Sequence, residues 1–314
     1  MPDLNILIAL ETKAQNILIT GGSGLVGRQL TAELLQAGNK VAWLSRSERS
    51  DVHGVEVYQW DVRKMELDRA AIEWADVIIH LAGEGVANKR WTGEQKTKIL
   101  DSRIDSTGLL YDAIKEANNP PIKFISASAI GYYGYHSADV LLDEEASPGS
   151  DFLADVTKAW ELEVDRIASL GVATVKLRIG VVLSKSGGAL EKMSQPVRYG
   201  VGAALGSGNQ IVSWVHVDDL CGIIEFTIEH NSSGVYNAVA PNPVTNKVLM
   251  KSIAGQLHKP FFLPAVPGFV MKLMLGEMSE ILLQGSNVSA QRIKNQGYDF
   301  KFPNLDDALS NLLK

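Results

Sequence analysis

One cysteine, Cys221, is all the chain has, so an intrachain disulfide is excluded, and with it the disulfide framework of small secreted domains. Six histidines, at 53, 80, 136, 216, 230 and 258, keep no ligand spacing with it or with one another, which gives no metal site. A basic block is missing too: thirty Lys and Arg against thirty-six Asp and Glu leave a formal charge of −6, without the cationic footprint that nucleic acid requires. Long apolar runs are equally scarce. The NILIAL segment has Asp3, Glu11 and Lys13 around it, so no secretory leader is read there. The stretch 261–275 is too short to span a bilayer and carries Pro264, Pro267, Gly268 and Lys272. The expectation is a soluble, cytoplasmic protein with no metal, membrane or nucleic-acid partner.

What is present is an ordinary globular composition: 314 residues, 46% apolar and 21% charged. At about 150 residues per domain the length suits two units, or one nucleotide-binding sheet with an appended lobe. Residues 16–20 (NILIT) form a continuous apolar run ending in glycines, the mark of a strand buried on both faces of a parallel sheet. Leu30, Leu34 and Leu35 then share a helical stripe with Val26 and Gly27, and Gly38 stands where a left-handed cap is wanted. Further runs at 41–44, 55–60, 77–81, 123–126 and 173–177 predict at least six parallel strands with βαβ crossovers. One long helix is predicted over 92–117, with Ile99, Ile104, Leu109, Leu110 and Ile114 for its buried side. The fold class is therefore α/β: a Rossmann-type doubly wound parallel sheet over 16–186, an N-terminal extension over 1–15, and a smaller C-terminal substrate lobe over 187–314. Part of 212–240 is expected to pack back on the sheet.

Gly21, Gly24 and Gly27 make a GxxGxxG at the strand-to-helix turn. The first two allow a tight turn and close backbone approach, and the third lets helix and strand pack. With Leu25 and Val26 they open a helix whose N-terminus would face a pyrophosphate. An acidic residue about 20 positions on usually holds a free ribose 2′-hydroxyl. Here that place reads Leu44-Ser45-Arg46-Ser47, and a hydroxyl with a guanidinium suits a 2′-phosphate, favouring NADP(H) over NAD. Arg46 could equally be a solvated loop residue. Asp61 could accept from the adenine amino group or simply begin the next turn.

The glycine loop, His80-Leu81-Ala82-Gly83, the strand end Ser126-Ala127-Ser128 and Trp214-Val215-His216-Val217-Asp218-Asp219 together resemble the extended short-chain dehydrogenases. Lys89-Arg90-Trp91-Thr92, Asp101-Ser102-Arg103, Gly131-Tyr132-Tyr133-Gly134 and Leu205-Gly206-Ser207-Gly208 look like its atypical epimerase-family, or nucleoside-diphosphate-sugar-epimerase-like, subgroup. Residues 262–312 resemble that subgroup's small C-terminal region. The resemblance implies a Rossmann domain binding NADP(H), with Leu81, Ala82 and Gly83 beside the nicotinamide ribose and Val182 beside the nicotinamide. Leu81 and Val182 also suit core packing. Arg103 falls where the wider family's NxxGT motif has its asparagine, so it would reach the cofactor phosphates or form a structural ion pair. By analogy the helix over 92–117 would serve a homodimer.

The wider family transfers its proton through a tyrosine four residues before a lysine, one helical face carrying both. Upstream of Lys158 that position is Ala154; the adjacent register gives Leu153 and Thr157. Ser128 fits the family's serine, and Tyr132 and Tyr133 are the aromatic hydroxyls nearest to it in sequence, so these three are the catalytic candidates. Without a lysine such a phenol would stay near about 10. Nucleotide-sugar enzymes of this type also carry a diphosphate arginine within the segment that here reads 208–214, which has none; Arg90 or Arg178 would have to replace it. His216 and Asp218 are read as fixing the lobe. Two functions follow: an NADP-dependent oxidoreductase or epimerase acting on a small, partly apolar molecule, or an NADP(H)-binding sensor or scaffold with weakened turnover.

Overall fold

The computed structural model describes residues 14–46, 53–230 and 232–314, so most of the expected extension over 1–15, and Ser47, lie outside the described residues. In chain order the first strands are β1 (Asn16–Thr20), β2 (Lys40–Ser45), β3 (Val55–Asp61), β4 (Glu66–Leu67), β5 (Val77–His80), β6 (Lys123–Ala129), β7 (Leu141–Leu142) and β8 (Ala173–Ile179). The second half adds β9 (Val181–Ser184), β10 (Gly187–Gly188), β11 (Ile211–Val212), β12 (Trp214–His216), β13 (Gly234–Ala238), β14 (Val244–Thr245) and β15 (Asn287–Val288).

Eight strands form one sheet in the order β13-β8-β6-β5-β1-β2-β3-β4. Every neighbouring pair in it is parallel except β3 and β4, where β4 folds back on Trp60 and Asp61. Its central strands are covered on both faces, which is why they read as unbroken apolar runs rather than alternating ones. The six strands legible in sequence all lie here. They are joined by β13 (GVYNA), whose weak strand formers Gly234, Asn237 and Ala238 hide it.

Alternation divides the core. Ile17 and Ile19 point to one face, against α1 (Leu25–Gln36) and a helix over 217–229 that does pack back on the sheet, through Leu30, Leu34, Leu220 and Ile224. Leu18 and Ile78 point to the other. There they meet Leu109 and Leu110 of α3 (Gly93–Glu116) and Trp160 and Val164 of α4 (Phe152–Ala168), with the short α2 (Ala70–Trp74) at the margin. Each fully buried Leu or Ile contributes about 1.5 to 3 kcal/mol. The long helix meets its predicted ends: Thr92 caps it, its hydroxyl accepting from Gln95 N at 3.2 Å. Ile104 is only half-buried.

After β9 the chain adds α5 (Ala189–Arg198), α6 (Val217–Glu229, the helix that covers the sheet), α7 (Asn246–Gln256), α8 (Gly268–Leu275), α9 (Glu280–Leu283), α10 (Gln291–Asn295) and α11 (Leu305–Leu313). A further core cluster gathers Leu190, Leu249, Ile253 and Leu309 around Trp214, which is on β12 beside β9. The fully buried Asp219 ties the chain's last fifty residues down, accepting from Lys301 N at 2.7 Å, from Phe302 N at 2.9 Å and from the Tyr298 hydroxyl. Among the described residues no helix is long and apolar enough to cross a membrane.

Candidate cofactor cleft and catalytic face

The sheet order reverses between β5 and β1, and a cavity of about 710 Å³ opens there, where open α/β sheets take their ligands. One wall is the glycine turn. Gly21 has φ +72°, and Gly24 N donates to its carbonyl at 2.9 Å. A Cβ on Gly27 would lie 2.4 Å from the Gly21 oxygen, and one on Gly22 would lie 2.4 Å from Trp43 Nε1. Gly22 is thus as constrained as the three glycines of the motif, because the indole of β2 lies directly behind it. That indole is fixed in turn, donating to Thr31 Oγ1 at 2.9 Å.

α1 begins at Leu25 with Gly24 as N-cap, no side-chain cap and no acidic residue in its first turn. The donors of its first turn are therefore left for an anion. Leu25 and Val26 contribute this backbone while their side chains pack on the sheet's core. Ser45 and Arg46 form the next part of the wall, followed by Asp61 and then by Arg63, which no sequence signal singled out. Asp61 does begin the next turn: its Oδ1 accepts from Arg63 N at 3.0 Å.

Leu81, Ala82 and Gly83 close the far side, and a buried polar brace holds them. Thr20 Oγ1 accepts from Leu81 N and Ala82 N, each at 3.2 Å, so its own proton goes to His80 Nδ1, 2.7 Å away. His80 Nε2 then carries the ring proton toward Ser106 and Thr107, both at 3.2 Å, whose hydroxyls donate to backbone carbonyls of α3. Burial, and secondarily the Arg103 cation, push the His80 pKa down to about 3. The imidazole is neutral and structural.

Arg103 does not line the cavity. Its Nη1 donates to Ile99 O at 2.8 Å and Glu84 O at 3.1 Å, and the guanidinium stacks 5.1 Å from the Trp160 ring. It supports the loop after β5 from below, and burial pulls its pKa down to about 10. Val182 also lies off the cavity wall, packed against the core on β9.

Ser128, Tyr132 and Tyr133 are brought together, but around Arg178 and away from the cavity wall. Ser128 Oγ donates to Glu161 Oε1 at 2.6 Å. Glu161 holds Arg178 in a two-pronged pair, 2.9 Å at Nε and 2.9 Å at Nη2. Arg178 Nη1 donates to the Tyr133 hydroxyl at 3.0 Å, which itself donates to Asn237 Oδ1 at 2.7 Å. The Arg178 guanidinium lies 3.4 Å from the Tyr132 ring centroid. The expectation of a phenol near 10 is corrected for Tyr133: burial pushes it up to about 12, with Arg178 offsetting only part. Arg178, being sealed in this pair, does not supply a diphosphate cation.

Strand register explains the placement. Ser128 pairs with Arg178 across β6 and β8, so both point to the face covered by α4, whereas Ala129 points to the opposite one. Neither helix register supplies a tyrosine and lysine: Lys158 Nζ sits 2.7 Å from Asp155, and the Thr157 hydroxyl donates to Leu153 O at 2.7 Å. In the lobe, Gln210 Nε2 donates to Leu205 O and Leu282 O, and Ser213 Oγ to Ser286 O. His216 Nδ1 accepts from Asp218 N at 3.0 Å as the cap of α6, a fold-fixing role.

The glycines that admit no Cβ, the uncapped helix start and the cavity volume fit a dinucleotide. Residues 17–239 match the NAD dependent epimerase/dehydratase family, and 266–312 match a domain of unknown function, DUF1731. An epimerase family protein of Staphylococcus aureus is 37% identical over 299 residues, covering 95% of this chain and 98% of its own. The Bacillus subtilis epimerase family protein YfhF is 35% identical over 300 residues, with 95% and 98% covered. The crystal structure of the human epimerase family protein SDR39U1 (isoform 2) with NADPH superposes with a TM-score of 0.84 at 31% identity, covering 95% of this chain and 98% of that one. A Thermus thermophilus UDP-glucose 4-epimerase in complex with NAD shares the fold, with a TM-score of 0.75 at 19% identity.

Proposed function

Because the chain belongs to the NAD dependent epimerase/dehydratase family, we propose that it binds NADP(H) in the cavity between β5 and β2 and acts as an oxidoreductase or epimerase on a small, neutral, partly apolar molecule. The observation that carries the cofactor choice is Arg46 with Ser45 on the cavity wall, where a 2′-hydroxyl reader would place a carboxylate. The human relative solved with NADPH supports it.

In this reading the first turn of α1 and the backbone of Gly21, Gly22 and Gly24 hold the pyrophosphate, and Ser45 and Arg46 hold the 2′-phosphate. Leu81, Ala82 and Gly83, fixed by Thr20 and His80, form the ribose wall. The nicotinamide, when bound, supplies a hydride acceptor or donor. Titrating NADPH and NADH by nicotinamide fluorescence tests the assignment. NADPH is expected to bind more tightly by about 1.5 to 3 kcal/mol, and Arg46→Ala to reduce that difference; equal affinities for the unaltered protein would refute it.

A second reading, an NADP(H)-binding sensor or scaffold, is favoured by one specific observation: Ser128 and Tyr133 are consumed in the Glu161–Arg178 network while Lys158 faces Asp155. A broad screen of carbonyl compounds for NADPH oxidation separates the two. Turnover on any of them supports the enzyme.

A further inference from the structure

Arg63 stands on the same cavity wall as Arg46, although nothing in its sequence position marks it. β2 and β3 run parallel with Ser45 opposite Gln59. Arg46, one residue past Ser45, and Arg63, carried on the one-turn helix 62–64 that follows β3, therefore leave the sheet at the same end and meet at one mouth. The turn is built so that Arg63 keeps its charge available. Asp61 is engaged with the Arg63 backbone N–H at 3.0 Å and with Lys64 at 4.0 Å. Among the described residues neither Arg46 nor Arg63 makes an ion pair, whereas Arg69, Arg166 and Arg292 are committed to Glu116, Glu163 and Glu145.

Two guanidinium groups on one wall, without an ion-pair partner among the described residues, repel each other, and the repulsion becomes attraction when a doubly charged anion lies between them. Guanidinium forks suit phosphate oxygens, and one fork satisfies only part of a phosphate's acceptors. We propose that Arg63 is a second specificity-determining residue, binding the 2′-phosphate of NADP(H) together with Arg46. The proposal rests on the NADP(H) reading of the cavity, and it adds a residue from β3's exit to a phosphate site otherwise assigned to β2's exit alone.

The test is calorimetric binding of 2′,5′-ADP and of 5′-ADP to the unaltered protein, Arg46→Ala, Arg63→Ala, Arg63→Lys and the double Ala variant. Arg63→Ala is expected to weaken 2′,5′-ADP by about tenfold or more and to leave 5′-ADP within about twofold, with Arg63→Lys in between. An unchanged thermal midpoint would confirm that this exposed side chain was not holding the fold. Undiminished 2′,5′-ADP binding by Arg63→Ala, alongside a loss in Arg46→Ala, would overturn the role of Arg63 and leave the cofactor reading standing. Equal weakening of both nucleotides would also overturn it, since Arg63 would then serve the adenine end or the turn. If the unaltered protein shows no preference for 2′,5′-ADP, the NADP(H) reading itself is what fails.

Discussion

The Thr20 hydroxyl donates to His80 Nδ1 across 2.7 Å while the same oxygen accepts the N–H groups of Leu81 and Ala82. The geometry requires the imidazole to be neutral. Folded, it takes its second proton only near 3, against 6.5 for the free group. Between those values the unfolded chain holds one more proton, so stability should fall by about 1.4 kcal/mol per pH unit as acid is added below 6.5. Above that the contribution is flat. Urea unfolding at several pH values checks this, and His80→Asn should lower stability at pH 7 while flattening the acid slope. A slope unchanged in the variant would remove His80 as its source.

Gly22 and Trp43 are expected to be coupled, since a Cβ on the glycine would sit 2.4 Å from the indole nitrogen. Gly22→Ala should cost about 1 to 3 kcal/mol from overpacking and weaken cofactor binding. Trp43→Leu alone should also destabilise, by opening a void. The double variant should be more stable than the sum predicts, by about 0.5 kcal/mol or more. Strict additivity in chemical denaturation would show that the loop relaxes away from the indole.

Within the Arg178 network, Glu161→Gln should cost about 3 to 5 kcal/mol, because it leaves a buried guanidinium without its counter-charge. Ser128→Ala should cost only about 1 kcal/mol, as a single hydrogen bond. Thermal melts rank the two. NADPH affinity should be unmoved by Ser128→Ala, and a marked loss of affinity there would place the serine at the cofactor.

Nucleotide sugars should not stabilise the protein. Gln210 and Ser213 are tied to backbone carbonyls and Arg178 is sealed beside Glu161, leaving the segment over 208–214 without a diphosphate cation. Thermal shift with NADP and a panel of UDP- and GDP-sugars measures this. A clear rise at micromolar sugar would point to Arg90 as the missing cation.

The parts of the molecule that were legible in sequence are those written in local pattern. A strand buried on both faces is a short apolar run, a phosphate turn is a glycine spacing, and α3 is a long stretch with an apolar side, Ile99, Leu109, Leu110 and Ile114. What stayed hidden depends on contacts far apart in the chain. Thr20 and His80 are 60 residues apart, and Arg178 meets a glutamate on a preceding helix, so each looked like an ordinary polar position. Ser128 illustrates the difference best. Its place at a strand end suggested chemistry, yet its face is set by which side of the sheet α4 covers, and one-residue alternation then points it at Glu161. Gly22 needed the indole of β2 to explain it.

The backward fold of β4 onto Trp60 and Asp61 also governs how the molecule behaves in a crowd. It shields only the end of the outer strand, where Asp68 N also donates to Gln59 O at 2.9 Å, so among the described residues no further strand pairs with the row of backbone donors and acceptors over Val55 to Tyr58. Such a row invites another chain to add on. The exposed Glu56 is the guard along it, since stacking a second strand there would strip water from a carboxylate. Replacing Glu56 by valine should leave the chain folded yet make it aggregate over time, visible as growing light scatter at concentrations where the unaltered protein stays clear.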